Sequence, residues 1–323
     1  MNNIPKYSVV IPSYNNAKIL PEILDALLKQ EGSEEAEVIV VDDGSKDNTE
    51  EIVKDYPVRY FKKPNGGPAS ARNVGIKESK GDIVLFIDSD CVPQPGWLKA
   101  MTQPFENDKI DGVKGIYITR QKSITARFIQ LEFEERYQKL SKLEYIDFID
   151  SYSAAFRKEK LIEVGGFDES FPKADNEDVD LSYKLAGIGC KMVFQPSAVV
   201  QHTHPDDLIM YIKVKYSRAF WRSAVYIKHP RKALKDSYTP QSLKLQMLST
   251  AGIWIGIFFA AVFNWNWWLF ACLSLYIFSL LPFIIRVYGK DDRAESLAPF
   301  MLFIRSNCFL LGTLLGSIYH RLK

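Results

Sequence analysis

Cysteine and histidine are scarce in this 323-residue chain, with four of each. The cysteines stand at 91, 190, 272 and 308 without any CxxC-type pair, and the last two fall in apolar segments. That spacing supports neither a zinc knuckle nor a disulfide framework, so a reducing compartment is expected. The opening MNNIPKYSVVIPSYNN turns polar after one short apolar run and lacks the core of about 7 to 15 apolar residues of a secretion signal. The N-terminal domain is therefore expected in the cytosol. A different absence marks the other end. No Asp, Glu, Lys, Arg or His occurs in the 41 residues from Leu245 to Ile285, whereas one membrane span needs only about 20.

The overall charge of +2 hides three regions. Residues 1–204 carry 26 basic and 33 acidic side chains, residues 205–244 carry 9 and 3, and residues 245–323 carry 6 and 3. An acidic soluble domain, a basic segment and an apolar tail are implied, each with its own kind of partner.

Through residues 1–204, short apolar runs alternate with amphipathic stretches. Tyr7 to Ile11, Val38 to Val41, Val58 to Phe61 and Ile83 to Ile87 read as buried strands, and 17–30, 48–55 and 68–79 as helices. This alternation predicts a mostly parallel sheet covered by helices, with ligands beyond the carboxyl ends of its strands. The unusual polar residues gather there: Pro12-Ser13-Tyr14-Asn15, Asp42-Asp43-Gly44-Ser45 and Asp88-Ser89-Asp90. Each also has an ordinary reading. Asp42 to Ser45 with Asp47-Asn48-Thr49 suits a turn and helix cap, because Asp, Ser and Thr cap helices and Gly tolerates positive φ. Asp88 and Asp90 put two carboxylates on one short loop, an unfavourable pairing unless a cation or hydrogen-bond donors offset it. Pro64-Asn65-Gly66-Gly67-Pro68 is a turn by composition. The small residues of Ala69-Ser70-Ala71-Arg72-Asn73 then open a helix that a ligand or another backbone can approach closely.

In this order, VVIPSYN, VDDGSKDNT, NGGPASARNVGI, GDIVLFIDSD, GGFDESF and NEDVDLSYKLAGIG resemble the family 2 glycosyltransferases of the GT-A fold, over roughly residues 7 to 204. The resemblance implies a Rossmann-like α/β catalytic domain at 1–204, with a nucleotide-sugar half at about 1–118 and an acceptor half at about 119–204. It implies transfer of a sugar from a nucleotide diphosphate donor, a UDP-sugar in the favoured case, to a hydroxyl with inversion at the anomeric carbon. Pro12, Tyr14, Asp42, Asp43, Arg72, Asp88 and Ser89 would hold that donor, with the inward member of the Asp42/Asp43 pair left open. Asp88 and Asp90 match the DxD positions, which hold a divalent metal, Mn2+ or Mg2+, against the charge of the leaving diphosphate, Asp90 being the more direct ligand. His202 or His204 would complete the metal shell, unless both are ordinary loop histidines. Asp178 matches the family's base, which takes the acceptor proton, and Glu177 would support it or hold the acceptor. Both acids also suit a helix N-terminus, where each is worth about 0.3 to 1 kcal/mol. Crowding among Asp175, Glu177, Asp178 and Asp180 is expected to raise the pKa of one of them.

Ile209, Ile212, Tyr216, Phe220, Ala224 and Ile227 recur at three- and four-residue spacing through 206–228, with Lys215, Arg218 and Arg222 as a second stripe. This predicts an amphipathic basic helix. It suits packing on the catalytic domain with its cations in water. It equally suits an anionic membrane surface, with Arg218, Trp221 and Arg222 meeting lipid head groups or the acceptor. Arg218-Ala219-Phe220-Trp221 only loosely resembles the QxxRW motif of processive family members, which speaks against a long-polymer synthase. The uncharged run would be about 61 Å as one helix, so two spans at about 245–263 and 267–286 are expected, broken at Asn264-Trp265-Asn266-Trp267-Trp268. Both flanking basic segments would then lie inside. A third stretch, about 297–319, contains Arg305 and reads as a third span or as an in-plane or re-entrant helix. A span would leave His320, Arg321 and Lys323 outside, against the positive-inside rule.

The expected protein is a membrane-anchored, metal-dependent, inverting glycosyltransferase. Its partners are a nucleotide-sugar donor, a lipid-linked or cell-surface glycan acceptor and membrane lipids, with no nucleic acid. One alternative is a polyprenyl-phosphate glycosyltransferase, whose acceptor is already ionised and has less need of a base. Another is a catalytically inactive membrane scaffold. A nucleotidyltransferase is disfavoured because residues 11–16 contain no glycine for an activation loop.

Overall fold

The computed structural model describes residues 4–171, 175–264 and 266–322. Trp265 of the expected break and Lys323 of the tail lie outside the described residues. The chain forms two compact units, Met1–Arg120 with Leu140–Thr203, and Gln121–Lys139 with His204–Lys323. The second unit thus takes in residues 121–139, which the sequence alone places inside the first domain.

The first unit opens with β1 (Tyr7–Ser13), α1 (Leu20–Leu28), β2 (Ala36–Asp42), α2 (Thr49–Lys54), β3 (Arg59–Lys62), α3 (Pro68–Glu78) and β4 (Ile83–Ile87). These four strands are parallel, in the order β3-β2-β1-β4. The Val, Ile and Leu runs of β1, β2 and β4 are what a sheet covered on both faces requires, whereas β3 at the sheet edge is only part-buried, which corrects the buried strand expected at Val58 to Phe61. Next come β5 (Cys91–Pro93), α4 (Trp97–Thr102), β6 (Gly112–Ile118), α5 (Ile124–Leu140), β7 (Ser153–Arg157), α6 (Lys158–Glu163), α7 (Glu177–Gly187) and β8 (Met192–His202). β7 is antiparallel to both β4 and β6, β8 runs parallel to β6, and β5 is antiparallel to β8. The parallel pattern therefore holds in the first half of the sheet and gives way to a mixed second half. Because β2 lies on one side of β1 and β4 on the other, the carboxyl ends of β1 and β4 border a topological switch point, where open α/β sheets bind ligands.

Close packing of α3 brings its residues to that edge. A Cβ on Gly75 would stand 2.2 Å from Val10 Cγ1, so only glycine lets the helix sit so near β1. Arg72, one turn earlier on the same helix face, is carried in with it. The core beneath combines Val10, Ile39, Val41, Val84 and Phe86 of the sheet with Phe167, Leu181 and Leu185 from the segments that cover it.

The second unit contains α5 apart from Leu140, then α8 (Leu208–Lys228), α9 (Pro230–Leu234), α10 (Gln241–Phe263), α11 (Asn266–Val287), α12 (Asp292–Ser296) and α13 (Ala298–Leu322). α10, α11 and α13 are long and apolar enough to cross a membrane. Large apolar side chains such as Trp254, Phe258, Phe270, Ile277 and Phe278 are exposed along α10 and α11, as an apolar solvent would favour. Both ends of the α10–α11 hairpin meet α5. Lys139 Nζ donates to the carbonyl of Thr239 just before α10 (3.2 Å), while Arg286 and Lys290 reach Glu135 (2.6 Å) and Glu134 (2.7 Å).

A buried ionic network joins five helices. Glu132 of α5 accepts from Arg305 of α13 at 3.0 Å and pairs with Lys215 of α8 at 2.8 Å. Arg305 also donates to Gln246 of α10 (2.9 Å), whose amide donates to the Ser279 carbonyl of α11 (3.1 Å). Arg305 therefore faces protein, which removes the penalty a charge would carry in lipid. Burial would raise the Glu132 carboxyl, but Lys215, Arg305 and Arg136 prevail and hold it down to about 2. Burial pulls the Lys215 ammonium down to about 7, although Glu132 supports its charge.

α13 lies along α8 in the same direction. A Cβ on Gly312 would meet Ala219 Cβ at 2.7 Å, and one on Gly316 would meet the Phe220 carbonyl oxygen at 2.3 Å, so two glycines one turn apart bring the backbones together. Against α10 the geometry differs. Three successive residues, Arg305, Ser306 and Asn307, meet Gln246, Thr250 and Trp254, which are each a turn apart. α13 therefore crosses α10 steeply instead of running beside it. The faces expected for α8 are corrected in the same way. Lys215, Ala219 and Ser223 are its buried stripe, while Ile209, Ile212 and Ile227 are exposed, because the glycine face of α13 admits small residues and the ionic network takes the lysine.

Candidate active site

The loops after β1 and β4 open onto one cleft of about 480 Å³. Pro12, Tyr14, Asp43, Arg72, Asp88, Ser89 and Asp90, all singled out from the sequence, line it. Asn16 Nδ2 donates to Ser89 Oγ at 2.5 Å, tying one loop to the other.

The two neighbouring aspartates after β2 part company. Asp42 is fully buried and outside the cleft lining, its oxygens taken by the Ser45 N–H (2.7 Å) and the Tyr60 hydroxyl (2.6 Å). It builds the turn. Asp43 lines the cleft and accepts from the N–H groups of Gly66 (2.9 Å) and Gly67 (2.7 Å) and from Lys63 Nζ (2.6 Å). Its carboxylate thus shapes the Asn65-Gly66-Gly67 loop that leads into α3.

Arg72 is the centre of the site. Its side chain is only 2% exposed and forks between two carboxylates, Nη2 donating to Asp88 Oδ1 (2.6 Å) and Nη1 to Glu177 Oε1 (2.8 Å). The ring of Phe167 lies 5.4 Å from the guanidinium carbon. Burial disfavours the guanidinium charge, but Asp88 and Glu177 outweigh it and hold the group above its ordinary pKa. One side chain therefore links the loop after β4 to the first residue of α7.

Asp90 is exposed, and His202 at the end of β8 puts Nε2 3.4 Å from its Oδ2. The pairing of β5 with β8 sets this, Cys91 standing opposite His202. Ligand atoms of Asp90, Cys91 and His202 lie within 4.8 Å of one another. The His202 ring stacks on Tyr117 at 4.3 Å, and Tyr117 on Tyr152 at 3.3 Å. Desolvation opposes charge on Asp90, yet hydrogen bonds from His202 and Cys91 hold its carboxyl below the usual range. Carboxylate oxygen with imidazole nitrogen fits an ion of the Mn2+ kind, and the exposure of Asp90 leaves room for phosphate oxygens. His204 belongs to the second unit. It is buried, with Nε2 3.1 Å from Gln130 Oε1 and its ring stacked on Phe133 at 5.6 Å.

Asp178 is half-buried in the first turn of α7, its Oδ1 accepting from the Val179 N–H (2.8 Å). Two of the crowded acids have cations of their own, Glu177 in Arg72 and Asp180 in Lys184 (2.8 Å). Arg218 and Arg222 line a separate cavity within the second unit, while Trp221 packs its ring against His320 at 5.0 Å.

Residues 8–165 match the family described as Glycosyl transferase family 2. That stretch of the chain belongs to this family. It is 27% identical over 259 residues to the pre-mycofactocin glycosyltransferase of Mycobacterium tuberculosis, a match covering 77% of this chain and 53% of that one. The chain thus spans about half the length of that curated relative. The mannosyltransferase PcManGT from Pyrobaculum calidifontis, solved in complex with GDP-Man and Mn2+, matches with a TM-score of 0.58 at 19% identity, over 99% of this chain and 88% of that one. S. aureus TarS 1-349 in complex with UDP matches with a TM-score of 0.51 at 21% identity, over 98% and 91%. The shared architecture is the GT-A α/β fold.

Several neighbours of these residues were not offered as site candidates from the sequence. Asn16, Asn65 and Gly67 line the cleft, Cys91 and Tyr117 flank His202, and Tyr152 stacks on Tyr117. Lys114 is buried in β6, where it is bonded to Asp150 and lies 3.2 Å from the Tyr152 hydroxyl. A lysine in the middle of an apolar strand is itself a signal, since burying it requires a partner.

Proposed function

We propose that this chain is a membrane-anchored, inverting glycosyltransferase that moves a sugar from a nucleotide diphosphate sugar, a UDP-sugar in the favoured reading, to a hydroxyl of a lipid-linked or cell-surface glycan. The observation that carries the reading is the fork of Arg72 between Asp88 and Glu177. It couples the DxD loop, which faces the donor diphosphate, to the helix start that carries Asp178. Pro12, Tyr14 and the loop held by Asp43 take the nucleotide, and Ser89 and Arg72 the diphosphate side. A divalent ion held by Asp90 and His202 would supply counter-charge for the departing diphosphate. Asp178 accepts the proton of the attacking hydroxyl. Glu177 acts through Arg72 as a positioning residue.

In the same reading the α10–α11 hairpin enters and leaves the bilayer on the cytosolic side, where Arg286 and Lys290 satisfy the positive-inside rule. α13, alongside α8 and steep to α10, lies in the plane of that surface, which keeps His320 and Arg321 inside. The test is donor binding by the detergent-solubilised full chain, using a panel of UDP- and GDP-sugars with Mn2+, Mg2+ or EDTA. Selective, metal-dependent binding that disappears in Asp90→Ala is expected. A folded protein that binds no donor would instead be the inactive scaffold.

A further inference from the structure

Asp90 stands between two side chains of different chemistry. Its Oδ2 lies 3.4 Å from His202 Nε2, and its Oδ1 accepts from Cys91 Sγ at 3.3 Å. Ligands held at about 2.0 to 2.3 Å by one tetrahedral ion stand about 3.3 to 3.8 Å apart, so these contacts already have the spacing of a coordination shell. The other carboxylate of the loop is engaged elsewhere, Asp88 Oδ1 accepting from Arg72 Nη2 at 2.6 Å.

Sheet pairing builds the arrangement. Cys91 of β5 and His202 of β8 stand directly opposite one another in an antiparallel pair, so their side chains emerge on the same face. A slip of one residue would send one of them to the other face. Tyr117 of β6 stacks on His202 at 4.3 Å and fixes the plane of the imidazole. Burial then orders the three ligands. The Cys91 side chain is fully buried, His202 is 15% exposed and Asp90 is 52% exposed. The sulfur therefore forms the floor of the site, and the side toward Asp90 stays open for a donor oxygen.

We propose that Cys91 is a metal ligand and that Asp90, Cys91 and His202 together form a site for a thiophilic divalent cation of the Zn2+ class, with a further coordination position open. The proposal rests on the reading of Asp90 and His202 as metal ligands and adds the ligand that sets the metal's class. On binding, the Cys91 S–H bond breaks, a sulfur–metal bond forms and the proton leaves to solvent. Thiolate favours Zn2+, whereas Mg2+ favours oxygen. Zn2+ outranks Mn2+ at nitrogen and oxygen sites as well, so the contribution of sulfur is the part lost when Cys91 is replaced.

The test uses the full chain in detergent under nitrogen, stripped of metal and titrated with Zn2+, Mn2+ or Mg2+, with Co2+ as the spectroscopic probe. Donor binding is measured on each sample. Cys91→Ser should weaken Zn2+ binding by at least roughly tenfold and Mn2+ or Mg2+ binding by less than about threefold. Co2+-loaded wild type should show a sulfur-to-metal charge-transfer band that Cys91→Ser lacks. A Cys190→Ser/Cys272→Ser/Cys308→Ser protein, in which Cys91 is the one remaining thiol, should keep that band, and it decides alone if Cys91→Ser does not fold. Equal losses for all three ions in Cys91→Ser would make Cys91 a packing residue and overturn the proposal. So would a band retained in Cys91→Ser or absent from the protein that keeps Cys91 alone. Mn2+-dependent donor binding without any sulfur signature strikes this inference and leaves the proposed function standing. The sulfur signature without donor binding strikes only the transferase reading.

Discussion

Removing the Arg72 guanidinium while keeping its bulk, as Arg72→Met does, leaves two carboxylates without their cation. They do not suffer equally. The Asp88 side chain is 29% exposed and can turn to water, whereas Glu177 is 3% exposed and stays buried. Breaking a buried pair from one side costs about 3 to 5 kcal/mol, because the surviving charge is stranded. For a unit of ~200 residues each kcal/mol lowers Tm by about 2 to 4 °C, so a fall on the order of 10 °C is expected. Adding Glu177→Gln removes the stranded charge. The double variant should therefore be more stable than Arg72→Met alone by about 2 to 3 kcal/mol, since pairs removed together cost little. The assay is thermal unfolding of the detergent-solubilised full chain at one scan rate, with donor affinity measured beside it. Donor affinity should stay low in both variants, because Asp88 has lost its anchor. A double variant no more stable than Arg72→Met, or an Arg72→Met protein with unchanged Tm, would show that the fork is not what joins the two halves of the site.

Asp178→Asn should bind donor as wild type does and lose transfer; turnover near normal in a discontinuous sugar-transfer assay would remove Asp178 from the base role. His202→Ala should weaken Mn2+ binding by roughly tenfold or more, read by electron paramagnetic resonance of free Mn2+, and His204→Ala should leave it unchanged. Equal losses would contradict the geometry around Asp90. Glu132, held down to about 2 from an ordinary 4.5, contributes stability that is fully present above pH 4.5 and drains away as pH falls toward 2. Glu132→Gln should start from a lower Tm, with its two cations stranded, and show a flatter pH dependence across that window in acid titrations of thermal stability.

Where a signal was carried by neighbours along the chain, the sequence read well. The strands β1, β2 and β4 announce themselves as apolar runs, and the helices between strands as amphipathic stretches, because both patterns repeat within a few residues, whereas β3 is a part-buried edge strand rather than the buried one expected. The polar residues at their carboxyl ends follow from the same alternation. Long-range partnerships left no such mark. Asp42 and Asp43 are adjacent and chemically alike, and only the placement of Tyr60 and of the Gly66-Gly67 turn separates a turn-builder from a cleft residue. His202 and His204 are one residue apart, and the end of β8 against Cys91 puts one beside Asp90 while the other joins Gln130 and Phe133 in the second unit.

The helical region shows the same division in a sharper form. Apolar length and the lack of charge from Leu245 to Ile285 establish two helices that suit a bilayer, because hydropathy is a sum over local side chains. What becomes of Arg305 could not be summed in that way. Its charge is accommodated by Glu132, 173 residues earlier in the chain, and by Gln246, 59 residues earlier. Likewise the basic stripe of α8 implied cations without saying what they surround, and only the approach of Arg136 and Lys244 encloses them in a cavity. The sequence by itself determined the α/β order of the first unit, the apolar tail and the set of chemically useful side chains, since each depends on composition and short periodicity. Tertiary structure decided which acids, histidines and cations meet, because a pairwise contact depends on the path of the backbone between two residues, and no local pattern records that path.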